Sequence, residues 1–267
     1  MKLDKIKEHY NQQPETDRLD SPLGQLEFIR TKEIISRYLG DESLKILDVG
    51  GAVGRYSFWL AELGHQVWLL EPSERHIEIA RKKNQEAEHK LAGIIHGHAG
   101  ELDFEKNKFD VILNMGPMYH LQKTSQRENV LKKMYRVLKE DGILFSAYIS
   151  RFASLQDGYK HGYIKNSEAY KLVKKSLATG KHNAPNNKYF TIAYFHHPEE
   201  IKPELKNAGF RDTKVLAVEG FLSLVNNLED YFANENDRQI LLEFLSEVEA
   251  EETLIGTSNH LLSIAKK

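Results

Sequence analysis

Apolar residues along the chain fall into two alternating rhythms. Short, nearly unbroken runs at Ile46 to Val49, Val67 to Leu70, Ala92 to Ile95, Lys108 to Asn114 and Ile143 to Ile149 read as strands. Strands covered on both faces are apolar throughout, so continuous runs point to a mostly parallel sheet. Between these runs, apolar residues recur at helical spacing. Leu26, Ile29, Ile34, Ile35 and Tyr38 mark one helix within residues 25–39, and Tyr56, Phe58, Trp59, Leu60 and Leu63 mark a second. Ile77, Ile79 and Ala80 follow Ser73, a side chain suited to cap a helix start. Val130, Leu131, Met134, Tyr135 and Leu138 line a helix from Arg127 to Leu138. Further on, a strand over Thr213 to Val218 precedes an acidic helical stretch over 227–252, where Leu241, Leu242, Phe244, Leu245 and Val248 form the expected buried stripe. A last strand, His260 to Ala265, is expected antiparallel beside the fifth. This alternation predicts an α/β fold, a doubly wound sheet of seven mostly parallel strands.

The first two runs are joined by the most informative stretch, KILDVGGAVGRYSFWLAELGHQVWLLE, from Lys45 to Glu71. A strand ends at Val49, the chain turns through Gly50, Gly51 and Gly54, and a helix begins. Glycine suits such a turn because the backbone needs positive φ and must approach a ligand closely. The helix start offers unpaired N–H groups to polar or anionic ligand atoms. Glu71 closes the second strand about 21 residues after Gly50, where it can accept hydrogen bonds from both hydroxyls of a ribose. The unit is therefore expected to hold a nucleoside. It is not a pyrophosphate fingerprint, because Ala52 and Arg55 stand where the third and sixth places want glycine. Nor is it a phosphate-binding P-loop, since no Gly-Lys-Ser/Thr follows.

Asp48, Gly50, Ala52 and Gly54 occupy the places of the first motif of class I S-adenosylmethionine-dependent methyltransferases, which this stretch resembles. Ala52 is a departure, since a middle glycine is commoner there. The likeness continues in order through residues 46–149. Gly116-Pro117-Met118-Tyr119-His120-Leu121 follows the fourth strand as in many small-molecule methyltransferases, and a Leu138-to-Gly142 turn leads into the fifth, with Asp141 in place of the first glycine. Further along, the Tyr-Phe-His run ending at His196, then Pro198-Glu199-Glu200 and Ala208-Gly209-Phe210, look like the same family's carboxyl-terminal part. The resemblance implies a Rossmann-like methyltransferase fold and S-adenosyl-L-methionine as cofactor. Its binding set would comprise Asp48, Gly50, Gly51, Ala52, Gly54, Glu71, Pro72, His98, Ala99, Asn114 and Met115. His98 stands where the family often has an acidic residue before the alanine that covers the adenine. Arg30 has two readings, an ion pair with Glu27 one turn away or a contact to the cofactor's carboxylate.

Composition narrows the chemistry. The chain has 267 residues, 40% hydrophobic and 28% charged, enough for a substantial core. One domain is expected, with amino-terminal helices over 1–40, an inserted helical lid over 151–190 and the rest of the sheet over 191–267. A formal net charge of −2 gives no general attraction to nucleic acid or anionic membrane. No apolar run is long enough to span a bilayer and the amino terminus lacks a signal-peptide core, so a cytoplasmic location is expected. There is no cysteine, which excludes disulfides, thiolate metal sites, cysteine-held iron–sulfur clusters and cysteine nucleophiles. No spacing of His, Asp and Glu forms a metal-ligand motif, and no metal is expected.

The expected activity is methyl transfer to an oxygen or nitrogen of a small molecule. Ligands of open α/β sheets sit beyond the carboxyl ends of the strands, so the loop from Met115 to Leu121 is expected to border the methyl group. Tyr119 would shape the acceptor pocket, and His120 or His196 would remove a proton from the acceptor. The lid carries eight basic residues against Asp157 and Glu168. One alternative is RNA-base methylation; Asn114-Met115-Gly116-Pro117 departs from the Asn-Pro-Pro-Tyr expected for exocyclic amines. The other is a cofactor-binding protein without catalysis.

Overall fold

The structure, a computed structural model, describes residues 20–184 and 189–267. Of the amino-terminal helices expected over 1–40, residues 1–19 lie outside the described residues. The described chain starts with helix α1 (Pro22–Ser36), whose first turn is closed by the Ser21 hydroxyl accepting from the Gly24 N–H at 3.2 Å, with Pro22 at the first helical position. Leu26, Ile34 and Ile35 are buried, as their spacing predicts.

The first mononucleotide-sized unit forms as the pattern requires: strand β1 (Lys45–Val49), helix α2 (Arg55–Glu62) and strand β2 (Gln66–Glu71). Helix α3 (Glu74–Glu86) leads to β3 (Gly93–His96), β4 (Phe109–Asn114), α4 (Thr124–Val137) and the long β5 (Leu138–Ile149). Helices α5 (Ala153–Lys160) and α6 (Ser167–Thr179) then precede a two-stranded hairpin, β6 (Lys181–Asn183) and β7 (Ile192–Tyr194). The expected lid is therefore two helices and a hairpin, not helices alone. Helix α7 (Pro198–Asn207), strand β8 (Arg211–Ala217), helices α8 (Leu228–Phe232) and α9 (Glu235–Val248), and strand β9 (His260–Lys266) complete the chain.

Seven strands make one sheet in the order β3-β2-β1-β4-β5-β9-β8. All are parallel except β9, which runs antiparallel between β5 and β8. The carboxyl ends of β1, β2, β4, β5 and β8 thus share one edge, and the amino end of β9 joins them. Both faces of the sheet are covered. On one face Leu47, Val49, Ile112, Leu144 and Tyr148 pack with Val130, Leu131 and Met134 of α4 and with Ile201 and Leu205 of α7. On the other, Ile46, Leu69, Val111, Leu113 and Phe145 pack with Ile34, Ile35, Phe58 and Leu60. Adjacent residues Ile46 and Leu47 belong to opposite layers, the physical origin of the unbroken apolar runs.

Two expectations need correction. The stretch over 227–252 is two helices, broken where the Asn234 side chain caps the start of the second by accepting from the Asn236 and Asp237 N–H groups. Its buried stripe is narrower than predicted: Leu241 and Leu245 are buried, whereas Phe244 is 64% exposed. Helical spacing cannot show how wide a face the rest of the fold covers.

Candidate active site

The glycine turn after β1 is crowded from beneath and held open by its backbone. Gly50 and Gly54 have φ of +71° and +81°, and Ala52 also lies in the left-handed region at +50°. A Cβ on Gly51 would stand 2.3 Å from Asp48 Oδ2 and 2.7 Å from a Leu69 methyl, and one on Gly50 would stand 2.9 Å from the Pro117 ring. Asp48, Leu69 and Pro117 therefore fix two of the glycines.

Asp48 is fully buried. Its Oδ2 accepts from the Ser57 hydroxyl at 2.6 Å, while Oδ1 has no hydrogen-bond partner among the described residues. Burial pushes its carboxyl up to about 7; the Ser57 hydrogen bond opposes this and the nearby Glu71 charge adds to it. One strand over, Asn114 ends β4 beside Val49, donates to the Ser146 hydroxyl at 2.7 Å, and also leaves its buried Oδ1 without a partner. Two adjacent strand ends thus each carry a buried acceptor that a cationic or N–H group would satisfy.

Glu71 does more than expected. One carboxylate oxygen accepts from the Ala52 N–H at 3.0 Å, and the other accepts from the Ser73 N–H at 2.9 Å and lies 3.2 Å from His76 Nδ1. The side chain ties the glycine turn to the start of α3. A carboxylate has about four lone-pair positions, so these three contacts leave capacity for a ribose hydroxyl. Pro72 adjoins it, its carbonyl 3.0 Å from His96 Nε2. His98 turns inward on its own loop, where Nδ1 accepts from the Gly100 N–H at 3.0 Å and Nε2 lies 3.2 Å from Glu101; Ala99 beside it is buried. His98 is thus the cap of a short turn.

After β4, half-buried Met115 packs on the α1 and α2 side of the sheet. A one-turn helix, Pro117–His120, then carries the next candidates. Tyr119 packs against Ile149, Ala153, Ala193 and Phe195, and a Cβ on Gly116 would lie 3.6 Å from its hydroxyl. His120 stacks near Phe190, with Nδ1 3.3 Å from the Ile192 carbonyl. The β6–β7 hairpin therefore packs directly on this loop. Gln122, which the sequence did not single out, joins them: its amide donates to the carbonyls of His182 and Ala193 and to the Asn183 side chain, at 2.8 to 3.1 Å. Ser57 and Ser146, which orient Asp48 and Asn114, were missed too. Each is one polar residue in an apolar run, a weak signal before its partner is known.

Two candidates lie elsewhere. Arg30 is fully buried in an ion-pair network, donating to Glu33 and to Glu249, which Arg37 also contacts. It pairs neither with Glu27 nor with the glycine turn; its long-range partner, Glu249, lies beyond what local spacing reveals. His196 is fully buried between the Tyr148 and Tyr194 rings, 3.5 Å from Glu204, and burial lowers its pKa. Glu204 in turn takes the buried Arg127 guanidinium at 2.6 to 3.0 Å. His196 is a core residue joining β5 to α7, out of reach of an acceptor.

The geometry suits a nucleoside-containing cofactor. Gly51 has no room for a side chain, Glu71 stands at the end of β2, and the unpartnered acceptors of Asp48 and Asn114 suit an ammonium group. Comparison with known proteins agrees. A family described as a methyltransferase domain matches residues 46–142. A demethylmenaquinone methyltransferase of Listeria welshimeri is 33% identical over 136 residues, 49% of this chain and 56% of that protein. A ubiquinone biosynthesis O-methyltransferase of Pelagibacter ubique is 32% identical over 114 residues, 41% of this chain and 44% of that one. The matches thus span only about half the length of these curated relatives. A solved protein from Pyrococcus horikoshii superposes with a TM-score of 0.62 at 17% identity, over 97% of this chain and 98% of its own. The [4+2]-cyclase SpnF superposes at 0.54 and 16% identity, over 89% and 80%. These two likenesses concern the fold alone.

Proposed function

We propose that this chain, whose residues 46–142 belong to the methyltransferase domain family and whose sheet has the class I Rossmann-like order, transfers a methyl group from S-adenosylmethionine to an oxygen or nitrogen of a small, flat acceptor. The observation that carries the reading is the pair of buried, unpartnered acceptors on Asp48 and Asn114 beside a turn where Gly51 cannot bear a side chain. Glu71 would hold the ribose, Asp48 and Asn114 the ammonium end, and the loop from His98 to Ala99 would flank the base. When bound, the cofactor supplies an electrophilic sulfonium methyl, and the protein's task is placement and the exclusion of water.

Tyr119, His120 and Phe190 offer an aromatic wall for the acceptor, closed by the hairpin that Gln122 anchors. An Nδ1–H donated to the Ile192 carbonyl would select the tautomer of His120 in which Nε2 is the basic atom. That assigns His120 the proton of an acceptor hydroxyl, with Tyr119 orienting the acceptor. The quinone-pathway names of the sequence relatives support a small, flat acceptor over RNA.

The test is calorimetric titration with S-adenosylmethionine and S-adenosylhomocysteine, using Glu71→Ala and Asn114→Leu as controls. Binding of both by the wild type, lost or strongly weakened in the folded variants, supports the site. A screen of phenols, quinols and amines with labelled cofactor then reads transfer. No binding by the folded wild type overturns the proposal.

A further inference from the structure

At the same edge of the sheet, two strands beyond β4, three side chains from distant parts of the chain converge. Glu27 comes from α1, Glu219 from just after β8, and His260 from the first position of β9. One ligand-capable atom from each lies within 4.8 Å of the other two. His260 Nδ1 is 3.5 Å from Glu27 Oε2 and in hydrogen-bond contact with Glu219 Oε1. Glu219 is fully buried, and its other oxygen is fixed by the Ser258 hydroxyl at 2.9 Å and the His260 N–H at 3.0 Å.

We propose that Glu27, Glu219 and His260 form a binding site for a divalent transition-metal cation. Glu27 and Glu219 set two carboxylates beside one imidazole, with Glu219 fully buried. Two carboxylate oxygens and an imidazole nitrogen are a donor set suited to manganese or zinc. Donors about 2.1 Å from a tetrahedral ion stand about 3.4 Å apart, close to the separation of His260 Nδ1 from Glu27. An ion there would replace the His260–Glu219 hydrogen bond and move the Glu219 oxygen outward. The Ser258 and His260 N–H bonds to Glu219 are the outer support that such ligands require.

A second feature adjoins the cluster. A cavity of about 340 Å³ is lined by Leu23, one turn before Glu27, and by Asn259, one residue before His260, as well as Lys160 and Ser223. Asn259 Oδ1 is buried there without a hydrogen-bond partner among the described residues. An ion at the cluster would face ligands entering at the acceptor end of the sheet and could hold an acceptor oxygen. That role rests on the methyl-transfer reading; the binding itself does not.

The experiment is titration of the chelator-treated full chain with MnCl₂, followed by loss of the free-ion paramagnetic resonance signal, and with ZnCl₂ by calorimetry. Saturable binding of one equivalent is expected, weakened at least about tenfold in both Glu219→Gln and His260→Gln. Glu27→Gln, at a partly exposed helix position, gives a third variant should the buried substitution prevent folding. Circular dichroism confirms the fold, and S-adenosylhomocysteine binding in the same samples reads the cofactor site separately. Absence of saturable binding by folded wild type, or binding that all folded variants retain, overturns the metal site whatever the cofactor result.

Discussion

At the residue scale, Asp48 is the most consequential side chain. Its folded pKa, near 7, lies well above the usual carboxylate value, so the native state holds a proton that the unfolded state releases between about pH 4 and 7. Stability attributable to this group therefore falls as pH rises through that window, by roughly 4 kcal/mol in all. Asp48→Asn is expected to raise the melting temperature at pH 8, with the gain shrinking toward pH 4; melting curves across that range check it. His120→Ala and His196→Phe separate the two histidines. With an acceptor in hand, the first is expected to lower kcat by about 10²-fold or more, the size of general-base assistance, and to change the pH profile. The second is expected to leave the pH profile unchanged and to lower the melting temperature.

At the element scale, helices α4 and α7 are clamped across the sheet face by Arg127 and Glu204. Burial alone would raise the Glu204 carboxyl, but the nearby His196 imidazole and the hydrogen bonds from Arg127 more than offset it and bring it down to about 2. The clamp's stability is complete above the unfolded carboxylate pKa and is lost as pH falls from about 4.5 toward 2. Arg127→Met leaves a buried carboxylate uncompensated and is expected to cost about 3–5 kcal/mol at pH 7 by denaturant unfolding. Arg127→Met with Glu204→Leu is expected to recover much of that loss. The hairpin of β6 and β7 is joined to the loop after β4 in a different way, by the amide of Gln122, which donates to both of its strands. Gln122→Leu is expected to raise hydrogen exchange in residues 181–183 and 192–194 while the sheet stays protected.

For the whole molecule, a ligand bound to the folded state alone stabilises it by about 2.7 kcal/mol at one hundred times its Kd. For a chain of this size that corresponds to a rise in melting temperature of roughly 5–10 °C. S-adenosylhomocysteine is expected to give this shift in the wild type and little of it in Asn114→Leu. The strands, their near-complete burial and the glycine turn were legible in the sequence because they depend on local geometry. A two-sided strand must be apolar at successive positions, and Gly50 and Gly54 must tolerate positive φ. The place of β9, antiparallel beside β5, was legible as well. Tertiary structure alone decided the partners of charged and polar side chains. Arg30 was a cofactor candidate by position, yet it is buried against Glu249; His196 looked like a base in its motif, yet it fills the core beside Glu204. Glu27, Glu219 and His260 share no spacing that a linear reading detects. They meet because β8 and β9 pair at the sheet edge where α1 packs, a proximity set by long-range chain topology.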